Sequence, residues 1–80
     1  MTKGEYRVGI NFNPSNDARV DTIKELAAAL IDLIEMIPEV DYMTEPGKSE
    51  RSRLKAIAQT HVEDAAMWAV KAATKQPMEG

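Results

Sequence analysis

Cysteine is absent from this 80-residue chain and histidine occurs once. The first absence excludes disulfides. The two together argue against a structural zinc site, which needs several thiolate or imidazole ligands. Basic surplus is also missing: 10 Lys and Arg stand against 13 Asp and Glu, for a net charge of −3. That balance argues against a DNA or RNA duplex as main partner, because duplex affinity comes largely from cationic contacts to phosphates. No apolar run approaches the roughly 20 residues that cross a bilayer, so no membrane partner is expected. Residues 1–9 hold no apolar h-region, and a cytosolic location is expected. Asn13-Pro14-Ser15 is no glycosylation acceptor, since proline occupies its middle position.

What the chain does have is apolar content of 44%, much of it alanine. That is too much for a disordered chain. A domain this small buries a limited share of its surface, and without disulfides or metal its security rests on a good core or on other copies of itself.

Three patterned segments follow one another. In Glu5 to Phe12, Tyr6, Val8, Ile10 and Phe12 alternate with Arg7, Gly9 and Asn11. That is the period of a half-buried strand, and it predicts an extended arm over residues 1–15. Asn13-Pro14-Ser15-Asn16 breaks the pattern, and Ser15 or Asn16 is the expected helix cap, with Asp17 near the positive helix end. A first helix is predicted over 16–37, with Val20, Ile23, Ala27, Leu30, Ile34 and Ile37 as its heptad seam. Pro38 ends it. A loop containing Pro46 and Gly47 is predicted over 38–48, with Ser49 as the next cap. The second helix is predicted over 49–75, with Leu54, Ala58, His61, Ala65, Trp68 and Ala72 as its seam and Trp68 in the core. Residues 76–80 form a tail. The fold class is therefore all-α: a two-helix antiparallel hairpin with a short extended N-terminal arm. Leu26, Leu33, Ile57, Val62, Met67 and Val70 lie off the seams and leave a second apolar line on each helix. A hairpin buries one line per helix, so the pattern predicts a helical homo-oligomer.

No catalytic constellation is present. His61-Val62-Glu63 has the H-x-E form found in zinc deaminases, but those enzymes need cysteines for the metal. Asp32 with Glu35, and Glu63 with Asp64, read as solvated helix faces. Gly4 and Gly9 are isolated and form no phosphate loop. No enzyme activity and no cofactor are expected. Arg51, Arg53 and Lys55 cluster at the start of the second helix, where the helix dipole disfavours cations. Lys24 borders seam residue Ile23 and is placed at the edge of an interface, where removing its ammonium would spare the fold. Tyr6-Arg7 pairs a flat ring with a guanidinium, a combination suited to a nucleobase and a phosphate and equally to a packed arm aromatic beside a solvated arginine.

The stretch Arg53 to Pro77, RLKAIAQTHVEDAAMWAVKAATKQP, preceded by IKELAAALIDLIE at Ile23 to Glu35, resembles the helical hub domain of the phage anti-CBASS cyclic-oligonucleotide sponges. The Thoeris anti-defence sponge shares that hub. The resemblance covers residues 17–76. It implies a small non-enzymatic helical protein that assembles as a homohexamer in the host cytoplasm. It implies that cyclic oligonucleotide second messengers are bound intact and sequestered, which blocks host immunity. By residue, it assigns Tyr6, Arg7 and Lys24 to a cyclic dinucleotide pocket. It assigns Lys55, Gln59 and Thr60 to a cyclic trinucleotide pocket, where the family's arginine has no counterpart. The alternative reading of the same residues is an oligomeric hairpin that binds another protein and no nucleotide.

Overall fold

The computed structural model describes residues 1–38 and 45–78, without the side chains of residues 45–49. It contains three helices, α1 (Lys3–Val8), α2 (Ala18–Glu35) and α3 (Glu45–Thr74), and no strand among the described residues. At 1.5 Å per residue, α2 is about 27 Å long and α3 about 45 Å. The two long helices form the hairpin. The short helix packs chiefly on α2 and only lightly on α3.

The extended arm is therefore corrected to a helix. Its start is a capping box: the Glu5 N–H donates to Thr2 Oγ1 at 3.1 Å and the Thr2 N–H donates to Glu5 Oε1 at 2.8 Å. Its end is Gly9, whose φ of 65° is the left-handed conformation that glycine takes without strain. The Ile10 N–H then donates to the Glu5 carbonyl at 3.0 Å, closing the turn. Glycine is needed at the other end as well. A Cβ on Gly4 would lie 2.1 Å from the Ala28 carbonyl oxygen, so α1 sits backbone against backbone on α2.

The break after α1 is where the sequence placed it, but the cap differs. Asp17 caps α2 by accepting from the Arg19 N–H at 2.8 Å. Ser15 supports it from outside, accepting the Asp17 N–H at 3.1 Å. Asn16 has φ 58°, which the extended backbone of a cap residue does not allow. At the other end α2 stops at Glu35, with Met36 as its cap, just before Pro38. The third helix begins at Glu45, so Pro46 and Gly47 lie in its first turn and not in a loop. Proline is tolerated there because first-turn N–H groups have no helical acceptor. Most of the 38–48 loop, with Glu39, Asp41 and Tyr42, falls outside the described residues, as does the Ser49 side chain.

Both seams are rotated from the predicted phase. The buried line of α2 is Val20, Lys24, Ala28 and Ile31, about one residue, or 100°, from the heptad line. On α3 the buried positions are Gln59 and Ala66, and the predicted seam residues Leu54, His61, Ala65, Trp68 and Ala72 are exposed. Trp68 is 61% exposed, with the Lys71 ammonium 5.2 Å from its ring centroid. The rotation leaves Leu26, Leu30, Leu33, Leu54, Ile57 and Met67 facing outward on the protomer.

Candidate functional site

Polar side chains on α2 and α3 hold α1. The Lys3 ammonium donates to Glu35 Oε2 at 2.8 Å and to Gln59 Oε1 at 3.0 Å. The Gly4 N–H donates to Asp32 Oδ1 at 2.7 Å. Glu35 is held below the usual carboxyl range, first by its hydrogen bond from Lys3. Asp32 and Glu35 thus act together, as docking points for α1 and not as a solvated face.

The predicted dinucleotide trio is partly assembled. Arg7, in the last turn of α1, donates from Nε to Glu63 Oε1 at 2.6 Å and from Nη2 to Thr60 Oγ1 at 3.4 Å. Lys24, only 7% exposed, donates from Nζ to the Gly9 carbonyl at 2.9 Å and to the Phe12 carbonyl. Those acceptors sit in the turn that closes α1. Lys24 is therefore enclosed by its own chain within the protomer, and its ammonium holds the turn. Arg7 and Lys24 nevertheless line one pocket of about 200 Å³ with Val8, Glu63, Met67 and Val70. Arg7, Glu63 and the side chain of Lys24 thus border an otherwise apolar hollow, with the Lys24 ammonium turned to the Gly9 and Phe12 carbonyls. Tyr6, adjacent in sequence to Arg7, is 75% exposed.

The predicted trinucleotide trio is not brought together. Gln59 is 2% exposed and donates from Nε2 to the Ile31 carbonyl at 3.1 Å, which makes it a bridge between the two long helices. Lys55 donates to the carbonyls of Glu35 at 3.2 Å and Ile37 at 2.8 Å. Arg51 adds a bond from Nη1 to the Pro38 carbonyl at 2.7 Å. These contacts explain cations at the start of α3. In an antiparallel hairpin that end lies beside the negative C-terminus of α2, whose last carbonyls lack helical donors. Arg53 instead pairs with Glu50 on its own helix. Thr60 faces outward and lines a shallow hollow with Ala56, Ile57 and His61. Lys55 and Thr60 are five residues apart, about 140° around the helix, so they cannot share a face.

Sequence reasoning missed Glu63, which is the partner of Arg7, and Met67, which lines the pocket. Glu63 had a signal: a carboxylate four residues before Met67 and three after Thr60 shares their side of α3. Among the described residues no group of histidine, aspartate and glutamate side chains could hold a metal, and no helix is long and apolar enough to cross a membrane.

A family model described as the hairpin domain of Acb2/Tad1 matches residues 4–74. No curated protein and no solved structure matches the chain.

Proposed function

Because this chain belongs to the Acb2/Tad1 hairpin family, the anti-CBASS and anti-Thoeris sponges, which sequester and do not catalyse, we propose that it captures cyclic oligonucleotide second messengers intact in the host cytoplasm during phage infection and so blocks CBASS-type immunity. The observation that carries this reading is the convergence of Arg7 and Lys24, from separate segments, in one small pocket. A cyclic dinucleotide offers two phosphates and two base faces. Arg7 and Lys24 supply cations, and exposed Tyr6 supplies a ring on which a base stacks. One base–aromatic stack contributes about 1–3 kcal/mol. A charge-assisted bond contributes about 1.5–3 kcal/mol before ordering costs. Two chains around one ligand double each contribution, which brings the roughly −12 kcal/mol of a nanomolar complex within reach.

The doubled site asks for an oligomer, and the outward apolar residues of α2 and α3 are its natural seam. We take the assembly to be the homohexamer that the family resemblance implies. In such an assembly Thr60, with its hollow on the outward face of α3, contributes to a second site for cyclic trinucleotides.

Calorimetric titration with cyclic di-AMP, cyclic di-GMP, cyclic GMP–AMP and a cyclic trinucleotide tests the reading, with recovery of intact nucleotide after denaturing the protein. Binding with full recovery is expected. Recovery of linear products would overturn the sponge role. Absence of any binding, and of any rise in melting temperature with ligand, would favour the protein-binding hairpin, since a ligand that binds the folded state stabilises it.

A further inference from the structure

The ion pair between Arg7 and Glu63 joins residues 56 apart in sequence and lines the pocket that Lys24 also lines. Both side chains are largely shielded, at 22% and 33% exposure. A carboxylate is an unexpected presence in a hollow meant for phosphate, and a simple view makes it a competitor for Arg7. The contact geometry argues for a different role. A guanidinium carries five N–H donors, one on Nε and four on the two Nη atoms. Glu63 engages Nε through one oxygen, and Thr60, one turn earlier on α3, braces Nη2 at 3.4 Å. The Nε side of the group is thereby fixed. The outer edge, with its pair of Nη atoms, is the edge that meets a phosphate in two-pronged fashion. Arginine is a long side chain, and here it rises from a helix of only six residues. Left untethered it would sample many rotamers, and ordering it would weaken capture.

We infer that Glu63 is a positioning residue for anion capture: it holds the Arg7 guanidinium by Nε so that the Nη edge is presented to a phosphate between α1 and α3, in the pocket that Lys24 also lines. This role rests on the nucleotide-binding reading above. It makes a prediction of opposite sign to simple electrostatics. Removing a carboxylate from an anion site strengthens binding if the carboxylate only competes. It weakens binding if the carboxylate aims the cation.

Glu63→Ala and Glu63→Gln remove the same charge, and only Gln keeps an acceptor oxygen for Nε. With cyclic GMP–AMP as probe, calorimetry is expected to show Glu63→Ala weaker than wild type by about tenfold or more, and Glu63→Gln recovering most of that loss. In the free protein, the Arg7 Nε–Hε cross-peak in ¹⁵N spectra is expected to be sharp in wild type and Glu63→Gln and lost in Glu63→Ala. Unchanged amide signals of Gly9 and Ile10 show that α1 remains docked in each variant. Affinity in Glu63→Ala equal to or above wild type would overturn the positioning role, as would an unaltered Arg7 Nε–Hε signal in that variant. An ordered Arg7 signal in a wild-type protein that binds none of the cyclic nucleotides would instead overturn the sponge reading, and a phosphate-facing Arg7 with it.

Discussion

The two sides of this molecule are held, and left unheld, by opposite kinds of chemistry. On one side α1 is clasped to the hairpin by Lys3 on Glu35 and Gln59, the Gly4 N–H on Asp32, Arg7 on Glu63, and Lys24 on the carbonyls of Gly9 and Phe12. Among the described residues, every buried polar side-chain atom has a partner. On the other side Leu26, Leu30, Leu33, Leu54, Ile57 and Trp68 are exposed. The clasp is a finished surface, and the apolar side is unfinished in a single protomer. The contrast teaches where to look for each property. On the proposed reading, ligand capture belongs with the cations of the clasp and assembly with the open apolar side.

The strongest way to break this division is to charge the apolar side. Leu30→Glu is expected to convert the proposed oligomer to protomers. It forfeits about 1.5–3 kcal/mol of leucine burial per chain and adds the cost of placing a carboxylate in an apolar interface. Light scattering reads the mass, and an unchanged assembly would refute an interface through Leu30.

Gly4→Ala strikes the clasp itself. In an ordinary helix this change stabilises, because alanine is the better helix former by about 1 kcal/mol. Here the new Cβ meets the Ala28 backbone at 2.1 Å, which neither helix can yield without moving. The expected sign is therefore reversed, with a loss of about 1–3 kcal/mol typical of overpacking, measured by urea unfolding. A more stable Gly4→Ala protein would mean that α1 does not seat on α2.

Lys24→Met tests whether one residue serves both sides of the division. The stem stays and the ammonium goes, so the Gly9 and Phe12 carbonyls lose their donor. Stability is expected to fall by about 1–3 kcal/mol and dinucleotide affinity by about 2 kcal/mol. The sequence alone placed Lys24 at an interface edge, where its loss spares the fold. Unchanged melting of the variant would restore that view.

The smallest effect concerns acid. Glu35 is held below its ordinary value of 4.5, first by the hydrogen bond from Lys3. A carboxyl depressed in the folded state adds stability that is complete above the unfolded value and lost as pH falls through the folded one. Wild type is thus expected to lose slightly more stability than Lys3→Met below about pH 4.5, as read by thermal melts across pH. Parallel pH profiles would remove Lys3–Glu35 from the clasp.

The hairpin was legible in the sequence because long alternating runs ended by Pro38 leave few other choices. The phase was not, because an apolar seam search passes over lysine and glutamine. The true line runs through Lys24 and Gln59, whose polar heads reach carbonyls while their stems pack. Helix α1 was hidden by an accident of alternation. Tyr6, Val8, Ile10 and Phe12 read as one strand face, yet Tyr6 and Phe12 are exposed while Val8 and Ile10 are half-buried. Its true marks, Thr2 with Glu5 three residues on and a closing Gly9, were present and outweighed. Of the candidate site, Arg7 and Lys24 were singled out by residue type. Their lining of one pocket depends on the turn that Gly9 and Asn16 allow, which no pattern of residue types encodes.

The clasp has a consequence for how the protein responds to its solvent. Its half-exposed Lys3–Glu35 pair weakens as mobile ions screen it, over a distance that shrinks to about 10 Å at 0.1 M ionic strength, and the more shielded Arg7–Glu63 pair weakens less. Apolar contacts respond the other way to salts such as sulfate, which are excluded from the surface and favour burial. A rise in sodium sulfate therefore loosens the seating of α1 while tightening whatever covers the open side. The two regions move in opposite directions along one ionic axis, so capture and assembly can be tuned separately in a single preparation.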